Sequence, residues 1–437
     1  MGCGGHAVTR EELARRYLAV RARTEHLAAP LSPEDQGLQS MPSASPTKWH
    51  RAHTTWFFEA FVLAPRGGPP VDPRYGYLFN SYYEGLGERH ARPKRGLLSR
   101  PTAEAVGAYR RAVDASMCDL LREAPDEDWP ALEALVDLGL AHEQQHQELL
   151  LTDIRHAFSE SPLLPAYLPA GASSTRRSPG DLVFAEHAGG VCVVGHEGTR
   201  FSFDNEGPRH RIFLEPFAIA TRPVNVAEVR AFVEAGGYRT PSLWLSAGYE
   251  RVRALGLTAP HGMRVEPGSV LGFTLRGLVE LDPAEPASHL DYYEADAIAR
   301  FLGGRLPTEG EWEHVASHVD PEVGNFVDDE VLRPVASASG SRRVEQLFGD
   351  VWEWTSSSYA AYPGYAPAEG AVGEYNGKFM VGQYVLRGGS ALTPRGHVRA
   401  TYRNFWPPDT GFQMTGARVA RDVRGETGRP RERTGIE

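Results

Sequence analysis

The chain has 437 residues, of which 41% are hydrophobic and 23% are charged, as is typical of a globular protein with more than one domain. Its formal net charge of -10 lacks the basic excess of nucleic-acid-binding proteins, which excludes that class of partner. The sequence has only three cysteines and no apolar run near the roughly 18 residues that cross a membrane, so we expect a cytoplasmic protein without a disulfide framework and without a membrane partner.

The first part of the chain has the periodicity of helices. Apolar residues recur at three- and four-residue spacing in four segments, which predicts four long helices packed as a bundle over residues 1–160. A stretch rich in Pro, Ser and Gly follows and is predicted to be a linker over residues 161–182. The four segments are REELARRYLAVRART, TKWHRAHTTWFFEAFVL, TAEAVGAYRRAVDASMCDLLREA and WPALEALVDLGLAHEQQHQELLLTDIRHAF.

Beyond the linker, short β-prone runs alternate with Gly- and Pro-rich loops. Asn225 with Glu228, and Thr308 with Glu311, form capping-box patterns that mark the starts of two helices. These features predict an α+β domain with much irregular structure over residues 183–424. Residues 425–437 are predicted to be a disordered tail.

The last helix of the predicted bundle carries a histidine pair. His142 and His146 are four residues apart, so their imidazoles lie on one helix face, close enough to hold one metal ion. His156 lies about 21 Å further along the helix axis than His142 and is excluded from that site. The alternative interpretation is a polar helix face whose histidines make ordinary hydrogen bonds and bind no metal ion.

The same residues also spell H-E-x-x-H, the signature of zinc proteases. No H-x-x-G-x-x-H extension follows it in the sequence. We therefore interpret the match as a chance occurrence.

A metal site with open positions needs a third ligand, which His50 or His53 can supply from the second predicted helix. Trp49 and Trp56 share a face with His53, whereas Phe57 lies on the side of His50, so the periodicity favours His53 only moderately. Three imidazoles leave coordination positions free, an arrangement that suits Fe(II) with O2 and substrate better than structural zinc.

Longer segments carry a family resemblance. SPTKWHRAHTTWFFE, FNSYYEGLGERHARPKRGLLSRPT and HEQQHQELLLTDIRH resemble the N-terminal DinB-like four-helix bundle of the ergothioneine-type sulfoxide synthases, or hercynine oxygenases. FSFDNEGPRHRIFLEPFAIA, RLPTEGEWE, GDVWEWTSS, LRGGS and TYRNFWPPDTGFQMTGARVA resemble their second domain, which has the formylglycine-generating-enzyme (C-type-lectin-like) fold. The resemblance runs from about residue 10 to residue 421 and implies this two-domain architecture.

The resemblance also implies a reaction and its metal ligands. It implies that His53, His142 and His146 hold Fe(II), and so it selects His53 over His50. The implied enzyme uses O2 to couple cysteine, through its thiol, to the imidazole C2 carbon of hercynine, the trimethylammonium betaine of histidine. The product is hercynylcysteine sulfoxide.

Residues for substrate binding follow from the same resemblance. Gln145 matches a residue that contacts the imidazole-bearing substrate, and Asn404, Phe405 and Trp406 match a substrate-contact segment. Because a quaternary ammonium offers no hydrogen-bond donor, aromatic faces must hold it, and Phe405 and Trp406 are the candidates. Arg95 matches a position near the thiol substrate, whose carboxylate suits an arginine fork. A surface charge is the alternative for Arg95.

Tyr82 and Tyr83 resemble the paired tyrosines of the cysteine-using branch of the family. A phenol near the reacting oxygen can donate a proton or hydrogen atom, which would steer the reaction toward sulfoxide instead of thiol dioxygenation. A tyrosine pair that anchors a loop is the alternative.

The second domain suggests another activity that the sequence excludes. Formylglycine-generating enzymes use two cysteines near the end of this domain, but no cysteine follows Cys192, and Ala391 stands where many relatives have one. Other possibilities remain open: histidine as the acceptor, glutamyl-cysteine or a selenium donor in place of cysteine, or a thiol-binding or metal-sensing module without turnover.

Overall fold

The structure is a computed structural model that describes residues 8–169, 177–337, 343–367, 369, 371–374 and 376–423. Its first part is a bundle in which the fourth long helix packs against the first two and the third also packs against both. The helices predicted from periodicity are confirmed. They are α1 (Arg10–Ala28), α2 (Thr47–Phe57), α4 (Ala103–Glu123) and α5 (Trp129–Ser159), and a short helix that was not predicted, α3 (Tyr75–Phe79), lies between α2 and α4 in the chain.

Local sequence explains where these helices begin. Thr9 and Thr102 cap α1 and α4, each accepting a backbone N–H from three residues further on. Helix α2 continues beyond Phe57 as a π-helical turn over Phe58–Leu63. Such turns are rare and frequently occur at functional sites.

Helices α2 and α5 approach each other closely at Gly139. A Cβ at this position would lie 2.6 Å from a ring carbon of Phe58 and 2.9 Å from one of Phe57. Only glycine permits this approach. One turn further along α5 is His142, so the approach brings the histidine face of α5 against α2.

The second part of the chain is an α+β domain of small sheets, as the sequence predicts. The strands are β1 (Phe184–His187), β2 (Gly190–Val194), β3 (His210–Leu214), β4 (Phe217–Ala220), β5 (Met263–Glu266), β6 (Ser269–Thr274), β7 (Gly277–Glu280), β8 (Trp352–Ser358), β9 (Tyr384–Arg387), β10 (Asn404–Trp406), β11 (Thr415–Ala417) and β12 (Ala420–Asp422). In the described residues the sheet orders are β1-β4-β12, β10-β9-β8-β11, β2-β3 and β5-β6-β7, and β8 with β11 is the parallel pair.

Four helices accompany these sheets: α6 (Val226–Glu234), α7 (Ser246–Leu255), α8 (Tyr292–Phe301) and α9 (Glu309–Ala316). Asn225 and Thr308 form the capping boxes of α6 and α9, which confirms both predicted helix starts. No helix in the described ranges combines the length and the apolarity needed to cross a bilayer.

A shared apolar core joins the two parts. Leu150, Leu151 and Ile154 of α5 belong to one buried cluster with Phe273 and Leu392 of the second part. In the segment predicted as a linker, Tyr167 is buried and donates its hydroxyl hydrogen to the carbonyl of Leu27 at 2.7 Å. Residues 170–176 of that segment, and the predicted tail 425–437, lie outside the described residues. The domain boundaries stay a prediction.

Candidate active site

Three histidines from α2 and α5 meet inside the bundle. One ligand nitrogen from each of His53, His142 and His146 lies within 4.8 Å of the others. The Nε2 atoms of His53 and His142 are 3.1 Å apart, close to the roughly 3 Å between two nitrogens bound at a right angle at about 2.1 Å from one ion. The structure thus brings together the three predicted ligands.

The surroundings of these histidines keep them neutral, as metal ligands must be. Burial lowers the pKa of His142 to about 3, and it lowers the pKa values of His53 and His146 well below their ordinary range. His53 stacks on Trp49 with ring centres 4.5 Å apart, and its Nδ1–H donates to the carbonyl of Phe79 at 2.6 Å. Its Nε2 therefore remains available for a metal ion.

Glu143, the acidic residue of the H-E-x-x-H pattern, faces the other side of α5. Its carboxylate accepts hydrogen bonds from Arg21, Arg110 and Thr24 in the buried core. Burial alone would raise the pKa of this carboxyl group, but the two arginines outweigh burial and lower the pKa to about 2. A carboxylate held in this way cannot serve as the general base of a protease.

A cavity of about 570 Å³ extends from the histidines into the space between the two domains. His142 and His146 line it, together with residues of the bundle and of the β8–β10 region. This volume is within the range of about 300–1,000 Å³ common for small-molecule sites. Every predicted substrate-binding residue lines it: Arg95, Gln145, Asn404, Phe405 and Trp406.

The bundle wall of the cavity carries positive charge. Arg95 is only 2% exposed. The alternative interpretation of Arg95 as a solvated surface charge is therefore wrong. Its guanidinium donates to the hydroxyls of Ser45 and Ser81 and lies 3.4 Å from the ring centre of Trp49. Burial lowers the pKa of Arg95 to about 8, with the nearby Arg92 adding to the effect.

The wall from the second domain is aromatic. Phe405 stacks on Tyr359 with ring centres 4.0 Å apart, and Trp406 meets Phe412 edge to face at 5.7 Å. These contacts fix the orientation of two rings that line the cavity. Asn404 precedes them at the start of β10, which pairs with β9.

Gln145 connects the two walls. Its side-chain amide donates to the hydroxyl of Tyr402 at 2.6 Å. The same hydroxyl lies 3.2 Å from Nε2 of His397, whose Nδ1 lies 3.2 Å from the amide oxygen of Gln144. The side-chain amide of Gln145 is thus held by the second domain.

Of the two predicted catalytic tyrosines, Tyr82 lines the cavity and Tyr83 lies behind it. The two hydroxyl oxygens are 3.4 Å apart. Tyr83 is 1% exposed and packs against Trp56 and Phe61, and burial raises the pKa of its phenol. Of the pair, Tyr82 is therefore the residue that reaches the cavity.

Several cavity residues were missed by reasoning from the sequence. Glu148 accepts hydrogen bonds from Trp352, Ser390 and Thr393 of the second domain, and burial raises the pKa of its carboxyl group. One signal could have found it, since Glu148 follows the predicted substrate-binding residue Gln145 by three residues and so lies on the same side of α5. Tyr402, two residues before Asn404 in the segment TYRNFW, carried a similar signal.

Comparisons with known proteins agree with this architecture. Residues 16–150 match the DinB superfamily, and residues 172–338 and 328–423 match the sulfatase-modifying factor enzyme 1-like domain. The chain is 32% identical to hercynine oxygenase from Mycolicibacterium thermoresistibile, over 96% of this chain and 97% of that protein. It is 33% identical to hercynine oxygenase from Mycobacterium tuberculosis, over 94% of this chain and 99% of that protein.

The chain belongs to the hercynine oxygenase family. It is therefore an oxygenase, and its three-histidine cluster indicates one that depends on a metal ion. Ergothioneine biosynthesis protein 1 from Schizosaccharomyces pombe is also similar, at 28% identity over 53% of this chain and 29% of that protein. The predicted succession of a DinB-like bundle and a formylglycine-generating-enzyme-like domain is confirmed.

In this member of the hercynine oxygenase family, the second domain forms one wall of the cavity. Ala391 is fully buried, next to the Ser390 hydroxyl that donates to Glu148 of the bundle. The position where many relatives of this domain have a cysteine thus lies in the contact between the domains.

Proposed function

We propose that this chain is a non-heme Fe(II), O2-dependent sulfoxide synthase of ergothioneine biosynthesis. It joins the thiol of cysteine to the imidazole C2 carbon of hercynine to give hercynylcysteine sulfoxide. In this reaction the C2–H and S–H bonds break and a C–S bond forms. One oxygen atom of O2 ends on sulfur, and the other leaves as water with the two hydrogens.

The observation that carries the proposal is the cavity beside the three neutral imidazoles. One wall presents the buried cation of Arg95, and the other presents the rings of Phe405 and Trp406. This combination suits two substrates at once: an amino acid with a free carboxylate, and a betaine whose trimethylammonium group has no hydrogen to donate. The similarity to hercynine oxygenases and to ergothioneine biosynthesis protein 1 supports hercynine as the betaine and ergothioneine as the end product.

The donor set fits a ferrous ion. Fe(II) held by His53, His142 and His146 would supply the reduction of O2, which no side chain performs, and would favour the thiolate form of the bound sulfur. Because three neutral imidazoles do not neutralise the positive charge of the ion, the site would favour anionic substrate atoms as further ligands.

The remaining roles belong to side chains around the cavity. Arg95 binds the carboxylate of cysteine through its guanidinium. Phe405 and Trp406 hold the trimethylammonium group, while the amides of Gln145 and Asn404 orient hercynine by hydrogen bonds. Tyr82 donates a proton or hydrogen atom from its hydroxyl, which directs oxygen transfer toward the sulfoxide.

The test is a three-substrate assay. Protein purified without O2 and loaded with Fe(II) is mixed with hercynine, cysteine and O2, while O2 uptake is recorded and products are identified by mass spectrometry. We expect hercynine, cysteine and O2 to disappear in equal amounts as the sulfoxide forms. Formation of cysteine sulfinate alone, with hercynine untouched, would contradict the proposal.

Replacement substrates refine the assignment. Histidine in place of hercynine, and glutamyl-cysteine or a selenium donor in place of cysteine, are run in the same assay. A higher kcat/KM for any of them would replace that substrate assignment and keep the reaction class. A protein that binds no iron and consumes no O2 would instead be a binding or sensing module without turnover.

A further inference from the structure

His50 lies directly behind His146 and outside the three-histidine cluster. Nδ1 of His50 is 2.8 Å from Nδ1 of His146, and Nε2 of His50 is 3.0 Å from Oδ2 of Asp153. His50 and Asp153 are 2% and 6% exposed. A carboxylate and two imidazoles thus form one continuous line of hydrogen bonds inside the bundle, which we call the Asp153–His50–His146 chain.

The carboxylate sets the direction of each hydrogen bond in this chain. An ionised carboxylate only accepts, so in a neutral His50 the Nε2 atom carries the hydrogen and the Nδ1 atom is the acceptor. His146 must then donate from its own Nδ1, which leaves its Nε2 without a hydrogen. An imidazole binds a metal ion only through such a nitrogen.

Asp153 is itself held in place from outside the chain. Its Oδ2 also accepts the backbone N–H of Ser45 at 2.8 Å, just before the start of α2. The carboxylate therefore ties α5 to the beginning of α2 and keeps its accepting oxygen pointed at His50. His53 reaches the same protonation pattern more directly, through the carbonyl of Phe79.

We propose that Asp153 and His50 are positioning residues that hold His146 in the tautomer with an unprotonated Nε2, and that they thereby raise the affinity of the site for its metal ion. This inference rests on the proposed metal-binding role of His53, His142 and His146. It gives a function to the histidine of the WHRAH segment that does not reach the cluster.

Metal binding by the full-length apoprotein tests the proposal without requiring turnover. Co(II) is the probe, because its binding can be followed by visible absorption. Asp153→Leu removes the accepting oxygen, and His50→Ala removes the middle of the chain. Each should weaken Co(II) binding about 10- to 100-fold, as the loss of outer-shell partners of metal ligands typically does.

Two further variants separate positioning from general damage. In Asp153→Asn the amide oxygen can still accept both N–H groups, so this variant should keep most of the affinity that Asp153→Leu loses. The double variant Asp153→Leu/His50→Ala should lose no more than the more affected single variant, because residues that act as one unit are not additive. Thr152→Val, a buried change at the neighbouring position of α5, is the matched control and should bind Co(II) like the wild type.

Each result of the Co(II) titrations supports or refutes the positioning role. Folding of every apoprotein is checked by circular dichroism. If Asp153→Leu does not fold, the Co(II) affinities of His50→Ala and Asp153→Asn are compared instead. A folded Asp153→Leu or His50→Ala protein with wild-type Co(II) affinity overturns the proposal, as does a double variant whose losses add. If the wild type binds metal and makes the sulfoxide, but these variants bind Co(II) as tightly as the wild type does, only the positioning role is refuted. Wild-type protein that binds neither Co(II) nor Fe(II) overturns the proposed function together with it.

Discussion

Arg95 is a cation held inside the protein by neutral groups. Its hydrogen bonds go to two serine hydroxyls, its guanidinium lies over an indole ring, and burial lowers its pKa to about 8. Burial of a charge is costly, and the negative charge of Asp153 acts against the effect of burial on the pKa of Arg95. A carboxylate that enters the cavity would gain a charge-assisted hydrogen bond from Arg95, which supports the proposed role of this residue in substrate binding.

Arg95→Met should therefore weaken binding of the thiol substrate. We expect its KM to rise about 10- to 100-fold, the equivalent of the roughly 1.5–3 kcal/mol of a charged hydrogen bond, while the KM for hercynine changes much less. Steady-state kinetics with each substrate varied in turn provides the measurement. Lys94→Met removes an exposed neighbouring charge and is the control. An equal rise of both KM values would argue against a carboxylate contact.

The tyrosine pair offers a second comparison at single residues. Tyr82→Phe removes the hydroxyl that lines the cavity, and Tyr83→Phe removes the one 3.4 Å behind it. If Tyr82 is the donor, Tyr82→Phe should lower the ratio of sulfoxide to cysteine sulfinate at least 10-fold, and Tyr83→Phe should lower it less. Mass spectrometry of both products measures the ratio, and the reverse order would assign the role to Tyr83.

At the scale of helices, the metal cluster depends on how closely α2 and α5 pack. Gly139 lies in contact with the rings of Phe57 and Phe58, and the Phe57 ring centre is 4.9 Å from that of His142. The packing of aromatic rings between the helices thus sets the distance between the histidines of α5 and His53 of α2.

Gly139→Ala should disturb this spacing. The added methyl group would overlap the Phe58 ring at 2.6 Å and force the helices apart, so we expect weaker Co(II) binding and a loss of about 1–3 kcal/mol in the free energy of unfolding. Metal titration and denaturant unfolding measure the two effects. Gly76→Ala, in an exposed helical position with open space around it, is the control and should be neutral or slightly stabilising. Unchanged metal affinity in Gly139→Ala would show that this spacing does not govern the cluster.

At the scale of the whole molecule, the cavity exists only because two domains share polar and apolar contacts. The apolar cluster around Leu151 and Phe273 extends across both. Glu148 accepts three hydrogen bonds from the second domain, and Arg155 donates to the carbonyl of Phe273. The residues that line the cavity from either domain therefore keep fixed positions relative to the histidines.

Stability of the whole chain should depend on pH through Glu285. Burial raises the pKa of this carboxyl group from 4.5 to about 7, although Arg333 lies 3.9 Å away. The folded state thus holds a proton between these two values that the unfolded state releases, so the contribution is fully favourable below about pH 4.5 and is lost as the pH rises through 7. The loss of stability corresponds to about 3 kcal/mol.

Glu285→Gln should remove this dependence. Its free energy of unfolding should fall less than that of the wild type between pH 5 and pH 8, and at pH 8 the variant should be the more stable protein. Denaturant unfolding at the two pH values measures the difference, with the exposed Glu266→Gln as control. Parallel pH profiles for the wild type and Glu285→Gln would contradict the assigned pKa.

The sequence by itself determined the four helices of the bundle, the mixed second domain and the histidine face of α5. These features follow from the spacing of residues within one segment, because periodicity reports which side chains share a face. The family motifs added the choice of His53 and the residues of the segment NFW. His53 lies in the three-histidine cluster, and the three residues of the segment NFW line the cavity beside it.

Tertiary structure alone decided what each of these residues touches. Periodicity placed His50 and His53 on different faces of α2 but could not show that one reaches the cluster while the other reaches Asp153. The sequence left Arg95 between a surface charge and a contact to the thiol substrate, and only its burial against Trp49 excludes the surface charge. The reason is physical: burial, the direction of a hydrogen bond and the shift of a pKa depend on neighbours that are distant in sequence and are supplied only when helices and domains pack together.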